Sequence, residues 1–363
     1  MTLLPHLTRV EAVRLSADSR AGRGRARGRQ LADRIASTAR GYAELFSALG
    51  IPDADQRAAA SASLDAVKAW HPAQHEELTG IADGAGLALA DLGRVVARTE
   101  ILTLAPDPAS ECSTIAYQRP GGSMSVQTWD WYSRFTGSWH LQRVDPLPGE
   151  LAHAGLTEYG MPGKIGLNAA GLGVHLNILR HDADDAGGVP VHAVLARLLA
   201  EATSVDEALS MIDDAPTSSS SVITVTTADR VAMVEIAPGG TSVLEAGSGW
   251  LLHTNHFLAP DRQDGALLTH PASTTHARLT AIKGTTAGGP EPQEAADLIP
   301  LLCSPLEDRT VALLPDESRP EAERTATLAT VLMDPARRTI RLSPGVPQHA
   351  HEVSVSYRVQ GRA

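Results

Sequence analysis

The sequence predicts an α+β fold in which antiparallel sheets are stacked and helices lie outside them. Apolar residues recur at helical spacing from about residue 27 to 104, and beyond residue 111 their period changes toward two, as in a strand. The helical segments of the second part are grouped between runs of strands. This order favours a layered α+β arrangement over a doubly wound parallel sheet.

The first part of the chain is predicted to be a helical prefix. Helices are expected over 27–49, 55–70 and 74–104, and Asp91 is expected to cap the last of them. The prefix ends near Pro106, because proline cannot continue a helix.

The second part is predicted to consist mainly of strands joined by short turns. Hairpin turns are expected at 168–171, 228–230 and 335–338. The strands are expected at 112–118, 123–129, 164–168, 172–179, 221–227, 231–237, 241–246, 250–256, 329–334, 339–343 and 353–359. Three further helices are expected, at 190–214, 273–284 and 291–302.

The net charge of −11 argues against non-specific nucleic-acid binding, which needs a basic surface. One local exception is the arginine-rich stretch 20–34. Two interpretations are open for it, a solvated basic helix start and an anion-binding patch, and the first is favoured.

The composition also indicates where the protein works. No run of about 18 apolar residues exists, so no membrane span is expected, and the N-terminus lacks the apolar region of a secretion signal. The two cysteines, Cys112 and Cys303, form no C-x-x-C pair and at most one disulfide. A reducing cytoplasm is therefore the expected setting.

Cys112 is the first candidate for chemistry, and two interpretations are open for it. Free cysteine is often a small buried hydrophobe. Here, however, the flanking residues are small or polar, and the cysteine heads a strand just after the helical prefix. As a nucleophile it needs a base. That base is either His253 or His256, or the α-amine that Cys112 would gain if the chain were cut before it.

The segment 253–256, HTNH, holds the other candidate groups. A metal site is disfavoured, because residues three apart on a strand point to opposite faces. Asn255 is either an ordinary turn residue or an amide that donates to an oxyanion. The glycines at 160–166 and 171–173 are weak nucleotide signals, since no helix follows them closely.

The chain resembles the acyl-coenzyme A:6-aminopenicillanic acid acyltransferase family, a branch of the N-terminal-nucleophile hydrolases. The residues that carry the resemblance occur in the family's order along nearly the whole chain. They are 27-RGRQLADRI, 76-EELTGIADGAGLALADLGRVVARTEIL, 112-CSTIAY, 127-QTWDW, 163-GKIGLNAAGLGVHLNIL, 253-HTNHF and 330-TVLMDPARRTIRLSPGVP.

The resemblance implies an αββα four-layer sandwich made as a self-cutting precursor. The bond cut would be Glu111–Cys112, which divides the chain into a small subunit, 1–111, and an associated large subunit, 112–363. Cys112 would then form an acyl-enzyme with a small-molecule amide or thioester, and water or an amine would resolve it. Asp130 would orient the amine or support charge, and Asn255 would serve the oxyanion hole.

The resemblance implies no bound cofactor, although a coenzyme A thioester is a candidate acyl donor. No metal, nucleic-acid or membrane partner is expected. Tyr117, Trp129, Phe135 and His256 are candidates to line the substrate site, with core packing as the default for the aromatic residues. The alternatives are an uncut Cys–His hydrolase and a non-catalytic binding module that keeps the fold.

The sequence departs from the family pattern at two places. Glu111 precedes the cysteine where the fungal acyltransferase has glycine, which affects the expected rate of self-cleavage. The family's arginine near the active site has no clean match either, and Arg309, Arg319 and Arg324 are the candidates to replace it.

Overall fold

A long helical prefix leads into two stacked sheets. The structure, a computed structural model, describes the backbone of residues 9–106, 108, 111–270, 272–308 and 310–360, and for Glu111 it describes the backbone alone. The prefix helices are α1 (Arg20–Gln30), α2 (Ala32–Ala48), α3 (Asp53–Trp70), α4 (Pro72–Ala85), α5 (Leu89–Val96) and α6 (Arg98–Leu102). The predicted helical prefix is thus confirmed.

Two details of the predicted prefix are wrong. Asp91 does not cap a helix, because Ala88 is the N-cap of α5 and Asp91 lies in its first turn. The arginine-rich stretch is not simply solvated, because Arg23 and Arg27 are 2% and 0% exposed. Both pair with Glu77 of α4, at 2.7 and 3.0 Å. Charged side chains are buried mainly when they are paired in this way.

Glycines explain how α1 comes so close to α4. A Cβ atom on Gly24 would lie 2.1 Å from the carbonyl oxygen of Glu77, and one on Gly80 would lie 2.5 Å from that of Ala21. Only glycine allows the two backbones to approach this closely. The close approach lets α4 deliver the Glu77 carboxylate to the arginines.

All described strands except β1 follow the helical prefix. The strands are β1 (Ala12–Leu15), β2 (Glu111–Arg119), β3 (Gly122–Tyr132), β4 (Trp139–Val144), β5 (His153–Glu158), β6 (Ile165–Asn168), β7 (Gly173–Ile178), β8 (Arg180–His181), β9 (Ser221–Thr226), β10 (Val231–Ala237), β11 (Gly240–Leu244), β12 (Gly249–His253), β13 (Ala266–Leu267), β14 (Thr325–Asp334), β15 (Thr339–Pro344) and β16 (Val355–Arg358).

Among the described residues the strands form two large sheets and one small one. The eight-stranded sheet has the order β1-β4-β5-β6-β7-β9-β10-β11, and the six-stranded sheet has the order β12-β2-β3-β14-β15-β16. Strands β8 and β13 pair separately. Neighbours are antiparallel except β1 and β4, which are parallel. The three predicted hairpins, β6–β7, β9–β10 and β14–β15, are confirmed.

The sheets pack face to face, and helices cover both outer faces. Trp129 and Val331 of one sheet share a core with Leu156 and Leu167 of the other. Helices α7 (Val191–Glu201) and α8 (Val205–Asp213) cover the eight-stranded sheet, together with helices of the prefix. Helix α9 (Thr275–Ala287) and the 3₁₀ helix Ala295–Leu302 cover the six-stranded sheet. The predicted αββα four-layer fold is confirmed.

Some elements differ from the prediction. Strands β1, β4 and β5 had not been predicted, and every residue of β5 is buried, so no alternation marks it. The predicted helix 190–214 is interrupted before Ser204, whose side chain caps α8. The predicted helix 291–302 is a shorter 3₁₀ helix.

Candidate active site

Cys112 lies near the start of β2, in the interior of the molecule. The strands β2 and β3 are joined by a tight turn in which Gly121 has a φ of +91°, a conformation that favours glycine. Cys112 is 3% exposed and pairs in register with Trp129, so both side chains face the space between the sheets. Its Sγ lies 3.9 Å from the carbonyl oxygen of Asp130. Both cysteines are free thiols.

The backbone of Cys112 is held on both sides by buried side chains. Its amide nitrogen donates to Oδ1 of Asn255 at 2.7 Å. Its carbonyl oxygen accepts from Nδ2 of Asn177 at 3.1 Å and from Nη1 of Arg278 at 2.7 Å. The nitrogen that a cut before Cys112 would turn into an α-amine is therefore already bound.

Asn255 lies in the loop that follows β12, and its neighbours fix its orientation. Its Nδ2 donates to the carbonyl oxygen of Ile178 at 2.8 Å, and its backbone nitrogen donates to Oγ1 of Thr275 at 2.8 Å. A backbone N–H at one end of the amide and a carbonyl at the other permit only this orientation. In the uncut chain the amide donor is thus used, and the oxyanion role of Asn255 stays a prediction.

Arg278 is the arginine that the structure brings to Cys112, and sequence reasoning missed it. It lies on α9 and is 0% exposed. Its Nη2 donates to Oδ1 of Asn255 at 2.9 Å. By contrast, Arg319 is 41% exposed beside Glu323, and Arg324 donates to the carbonyl oxygen of Arg319.

The third candidate, Arg309, lies outside the described residues. An arginine inside a predicted helix carries no distinguishing pattern, which explains why Arg278 was not found.

A buried polar chain on the inner face supports the site. Oδ1 of Asn177 accepts from Oγ1 of Thr114 at 2.7 Å and from Nε2 of Gln127 at 3.0 Å. All three residues are fully buried. These contacts hold the Asn177 amide so that its Nδ2 faces the carbonyl of Cys112. The resemblance drew attention to the segment that contains Asn177 but assigned it no role.

Asp130 is fully buried and lies opposite the residue that precedes Cys112. The register of β2 and β3 pairs Asp130 with Glu111, so its side chain lies on the other face of the sheet from the thiol. The strand β2 includes the backbone of Glu111, whereas its side chain is outside the described part. Burial, and then the Asp130 carboxylate, raise the pKa of the Cys112 thiol to about 12.

A buried cluster of charges lies behind Trp129. Nζ of Lys164 lies 3.2 Å from the centre of the Trp129 ring and 2.8 Å from a carboxylate oxygen of Glu158. Arg98 also pairs with Glu158, at 3.0 Å. Burial lowers the pKa of Lys164 to about 7, although Glu158 opposes this shift. Lys164 acts on the Cys112 thiol in the opposite sense to Asp130, lowering its pKa.

The two histidines of the HTNH segment do not contact the thiol. His253 is bonded through Nε2 to Glu235 at 2.7 Å and through Nδ1 to the carbonyl oxygen of Thr254. His256 is bonded through Nδ1 to Thr275 at 2.8 Å, and its ring lies against His276. Burial lowers the pKa of His256 to about 4. In the described structure neither ring has a hydrogen bond to Cys112.

The other candidate substrate-binding residues lie apart from one another. Tyr117 is on the opposite face of β2 from Cys112, against Trp250. Phe135 is 1% exposed and stacks on Tyr42 at 4.1 Å, in the position of a core residue. Trp129 alone of the candidates is paired directly with Cys112.

A cavity of about 120 Å³ has Ile178, a hydrogen-bond partner of Asn255, in its wall. It is lined in part by Trp131, Ile178, Leu179, Arg180, Ser219 and Leu267. Ile178 links it to Cys112, because the Ile178 carbonyl holds the amide of Asn255.

Two general features complete the description of the site. Across the described ranges, no group of histidine, cysteine and acidic residues is arranged to hold a metal ion. No helix in the described part of the chain is long and apolar enough to cross a bilayer.

Comparisons with solved structures give distant similarities. The chain resembles penicillin V acylase from Agrobacterium tumefaciens with 13% identity and a TM-score of 0.40, over 64% of this chain and 83% of that one. It resembles a mutant of conjugated bile acid hydrolase from Clostridium perfringens with 15% identity and a TM-score of 0.46, over 68% of this chain and 92% of that one.

Comparisons of sequence are more specific. The chain is 30% identical over 189 residues to the 40 kDa form of acyl-coenzyme A:6-aminopenicillanic-acid-acyltransferase from Emericella nidulans. The match covers 52% of each chain, so this chain spans about half the length of that relative. The family profile of acyl-coenzyme A:6-aminopenicillanic acid acyl-transferase matches residues 117–349, a range that includes Asp130, Asn177, Asn255 and Arg278. The chain therefore belongs to the acyl-coenzyme A:6-aminopenicillanic acid acyl-transferase family.

Proposed function

We propose that the protein is a self-processing enzyme that uses Cys112 as an N-terminal nucleophile on an amide or thioester of a small molecule. The observation that carries this proposal is the hydrogen bond from the Cys112 amide nitrogen to Asn255, at 2.7 Å. Any buried backbone N–H needs an acceptor, and here that acceptor is a side chain. A nitrogen that becomes the base of the reaction must be held close to its own thiol.

The first proposed step is cleavage before Cys112. Sγ attacks the carbonyl carbon of Glu111, the C–N bond breaks, and the nitrogen of Cys112 takes up the proton and becomes an amine. Water then hydrolyses the thioester and leaves a carboxylate on Glu111. The thiol pKa of about 12 means that the thiolate is scarce in the uncut chain. The cut is therefore expected to need a proton acceptor. Asp130, whose side chain lies on the other face of the sheet, is proposed to orient the new amine or to support its charge.

The second proposed step repeats this chemistry on a separate substrate. The free α-amine has a reference pKa of about 7.7–8.0, so it can accept the thiol proton near neutral pH. Sγ then attacks the substrate carbonyl, and the leaving amine or thiol departs with that proton. The acyl group passes from Cys112 to water or to an acceptor amine. Asn255 is proposed to hold the α-amine through Oδ1, and to serve the oxyanion only if Nδ2 leaves Ile178.

The two pieces are proposed to stay together after the cut. Tyr42 of the prefix accepts a hydrogen bond from Nε1 of Trp131 at 3.0 Å. Arg98, also of the prefix, pairs with the buried Glu158. Separating 1–111 from 112–363 would expose these buried charges and the apolar core that the pieces share, at a large cost in free energy.

The substrate class is proposed from the family. The family name specifies acyl transfer from coenzyme A, so a coenzyme A thioester is a candidate donor and a small-molecule amide is the other. A reducing compartment such as the cytoplasm is proposed, because a thiol nucleophile must stay reduced. An uncut Cys–His hydrolase is not favoured, since the nitrogens of His253 are bonded elsewhere.

Intact-mass analysis of the purified protein tests the proposal. The wild type and Cys303→Ala are expected to give two fragments that divide between Glu111 and Cys112. Cys112→Ala is expected to stay whole. A wild-type chain that stays whole, or a Cys112→Ala chain that is cut at the same bond, would contradict the proposal of self-processing.

A further inference from the structure

Lys164 is the buried lysine of an arginine-rich chain. The sequence has 31 lysine and arginine residues, and lysine occurs only at positions 68, 164 and 283. Lys68 and Lys283 are exposed, whereas Lys164 is 1% exposed. Arginine stays protonated inside proteins, but a buried lysine can lose its proton near neutral pH. Position 164 therefore holds a cation of the kind that can exchange a proton.

The ring of Trp129 connects Lys164 with the thiol. Nζ of Lys164 lies 3.2 Å from the centre of that ring. Trp129 pairs in register with Cys112, and the side chains of such a pair stand on one face of the sheet, with Cβ atoms about 4.5–5.5 Å apart. Lys164 lowers the pKa of the Cys112 thiol, and Cys112 raises the pKa of Lys164. An amine and a thiol thus share one buried space.

The charges around Lys164 are unbalanced when the lysine is protonated. Its Nζ lies 2.8 Å from Glu158, and Arg98 pairs with the same carboxylate at 3.0 Å. In the described part of the chain, Glu158 is the only carboxylate that forms an ion pair with Lys164. Two buried cations share one anion, and an uncompensated buried charge is costly. A thiolate on Cys112, or a neutral Lys164, removes the excess.

The groups that act on Lys164 come from four elements. Glu158 on β5 and Cys112 on β2 raise its pKa, whereas Arg98 on α6 lowers it. His192 on α7 also faces it, but burial holds the pKa of His192 well below its ordinary value, so that ring is neutral. Burial has the largest effect, and the pKa of Lys164 is about 7. Near neutral pH the amine can therefore accept a proton.

We propose that Lys164 is the proton acceptor for the Cys112 thiol in the step that cuts the chain. This inference rests on the proposed function, and it supplies the acceptor that the cut needs before the α-amine exists. The proton leaves Sγ for Nζ, and the thiolate attacks the carbonyl carbon of Glu111. When the C–N bond breaks, the proton passes from Nζ to the nitrogen of Cys112. The free α-amine then serves the later turnovers.

The pH dependence of the cut tests the inference. A photocleavable group on Sγ of Cys112 keeps the chain whole until light removes it, and intact mass then follows the loss of uncut chain. The reactive pair has lost one proton, so the wild-type rate is expected to rise about tenfold per pH unit below about pH 7 and to level off above it. A thiol that ionised alone, with its pKa of about 12, would give a rate that keeps rising to about pH 9.5.

Lys164→Arg keeps the charge and removes the acceptor, because arginine does not lose its proton. Its rate at about pH 8 is expected to be about 100-fold lower than that of the wild type, and to rise with pH without levelling off. Lys283→Arg makes the same change at an exposed position and is expected to keep the wild-type profile. Glu100→Gln is the second control, because the pKa of Glu100 is also about 7. It is expected to keep the levelling off.

Each outcome bears on a different part of the account. A rate that still levels off near pH 7 in Lys164→Arg, or that no longer does so in Glu100→Gln, would overturn the inference alone. Circular dichroism shows whether Lys164→Arg folds. If it does not fold, the wild-type profile decides, and a wild-type rate that rises without levelling off to about pH 9.5 overturns the inference. A wild-type chain that stays whole after illumination contradicts the proposed function, and the inference with it.

Discussion

The backbone nitrogen of Cys112 donates a hydrogen bond to the side-chain oxygen of Asn255, 2.7 Å away. The partners are 143 residues apart in sequence, and the loop after β12 brings them together. Arg278 shares the same oxygen of Asn255 and also holds the carbonyl of Cys112. The Arg278 guanidinium and the Asn255 amide therefore hold the peptide groups on both sides of the Cα atom of Cys112.

Replacing Asn255 tests whether its hydrogen bond to Cys112 contributes to the reaction. Asn255→Ala removes both the acceptor for the Cys112 nitrogen and the proposed oxyanion donor, and kcat of the processed enzyme is expected to fall by about 100- to 1000-fold. Asn168→Ala is the control, because its side chain bonds the backbone of Ala170, Leu172 and Ala202, away from Cys112. That variant is expected to lose stability, yet to keep kcat per folded molecule within about twofold. Equal kcat losses in both variants would contradict a role for Asn255 in the reaction.

Arg278→Lys keeps the positive charge on α9 but removes the guanidinium, whose two nitrogens bond Cys112 and Asn255. Lysine cannot bond Cys112 and Asn255 together as the guanidinium does. Self-cleavage is therefore expected to slow by about 10- to 100-fold, measured as the rate at which uncut chain disappears by intact mass. Arg262→Lys, which loses a comparable fork to Ser242 and Thr241, is expected to cut at the wild-type rate. A normal rate in Arg278→Lys would show that charge alone suffices there.

Glu235 is expected to position the loop that carries Asn255. Its carboxylate accepts from the backbone nitrogens of Leu258 and Ala259 and bonds the His253 ring. Glu235→Gln replaces one acceptor by a donor in a fully buried place, which should cost about 1–3 kcal/mol of unfolding free energy. Urea unfolding in the uncut Cys112→Ala background measures this cost.

Glu245→Gln is the control for Glu235. Glu245 is an exposed partner of Arg230, so its loss is expected to cost less than about 1 kcal/mol. If Glu235→Gln were as stable as Glu245→Gln, the loop would not depend on the buried carboxylate.

Glu100 gives the chain a predictable pH dependence. Burial raises the pKa of Glu100 to about 7, whereas an unfolded glutamate titrates near about 4.3. Between these values only the unfolded state releases the proton, so the contribution of Glu100 to stability falls as the pH rises from about 4.3 to 7. Glu100→Gln removes that titration. Its unfolding free energy relative to the parent should therefore rise by about 2 kcal/mol between pH 5 and pH 8.

Urea unfolding in the Cys112→Ala background at the two pH values measures this change. Glutamine keeps an oxygen for the bonds from Val191 and Ser219, which makes the comparison conservative. A difference between variant and parent that is the same at pH 5 and pH 8 would contradict the raised pKa.

Local patterns were enough to predict most of the elements. The helical prefix, strands β2 and β3 and the three later hairpins follow from apolar periodicity and turn residues. Strand β5 was not predicted, because its residues are buried on both faces and show no alternation of polar and apolar residues. Arg23 and Arg27 were misread because charge runs are usually solvated. The glycines spaced four apart in α1 and α4 were the available signal of a close helix contact.

The candidate site was predictable only in part. The residues alone indicated Cys112 and Asn255 as candidates, and the resemblance to a family assigned roles to them and to Asp130. Arg278, Asn177 and Lys164 were not predicted as site residues, because each lies in an ordinary helix or strand pattern. Arg278 and Asn177 contact Cys112 through tertiary packing, and Lys164 contacts Trp129, which pairs with Cys112. Arg278 is 166 residues away from Cys112 in sequence. No local rule connects residues at that separation.

Labelling with 2-cyanobenzothiazole tests most directly whether Cys112 becomes a chain start. The reagent condenses with the adjacent amine and thiol of an N-terminal cysteine, and an internal cysteine such as Cys303 does not form that product. The denatured wild-type protein is expected to carry one label, on the fragment that begins at Cys112, and Cys112→Ala is expected to carry none. A wild-type protein without the label would contradict the assignment of Cys112 as an N-terminal nucleophile.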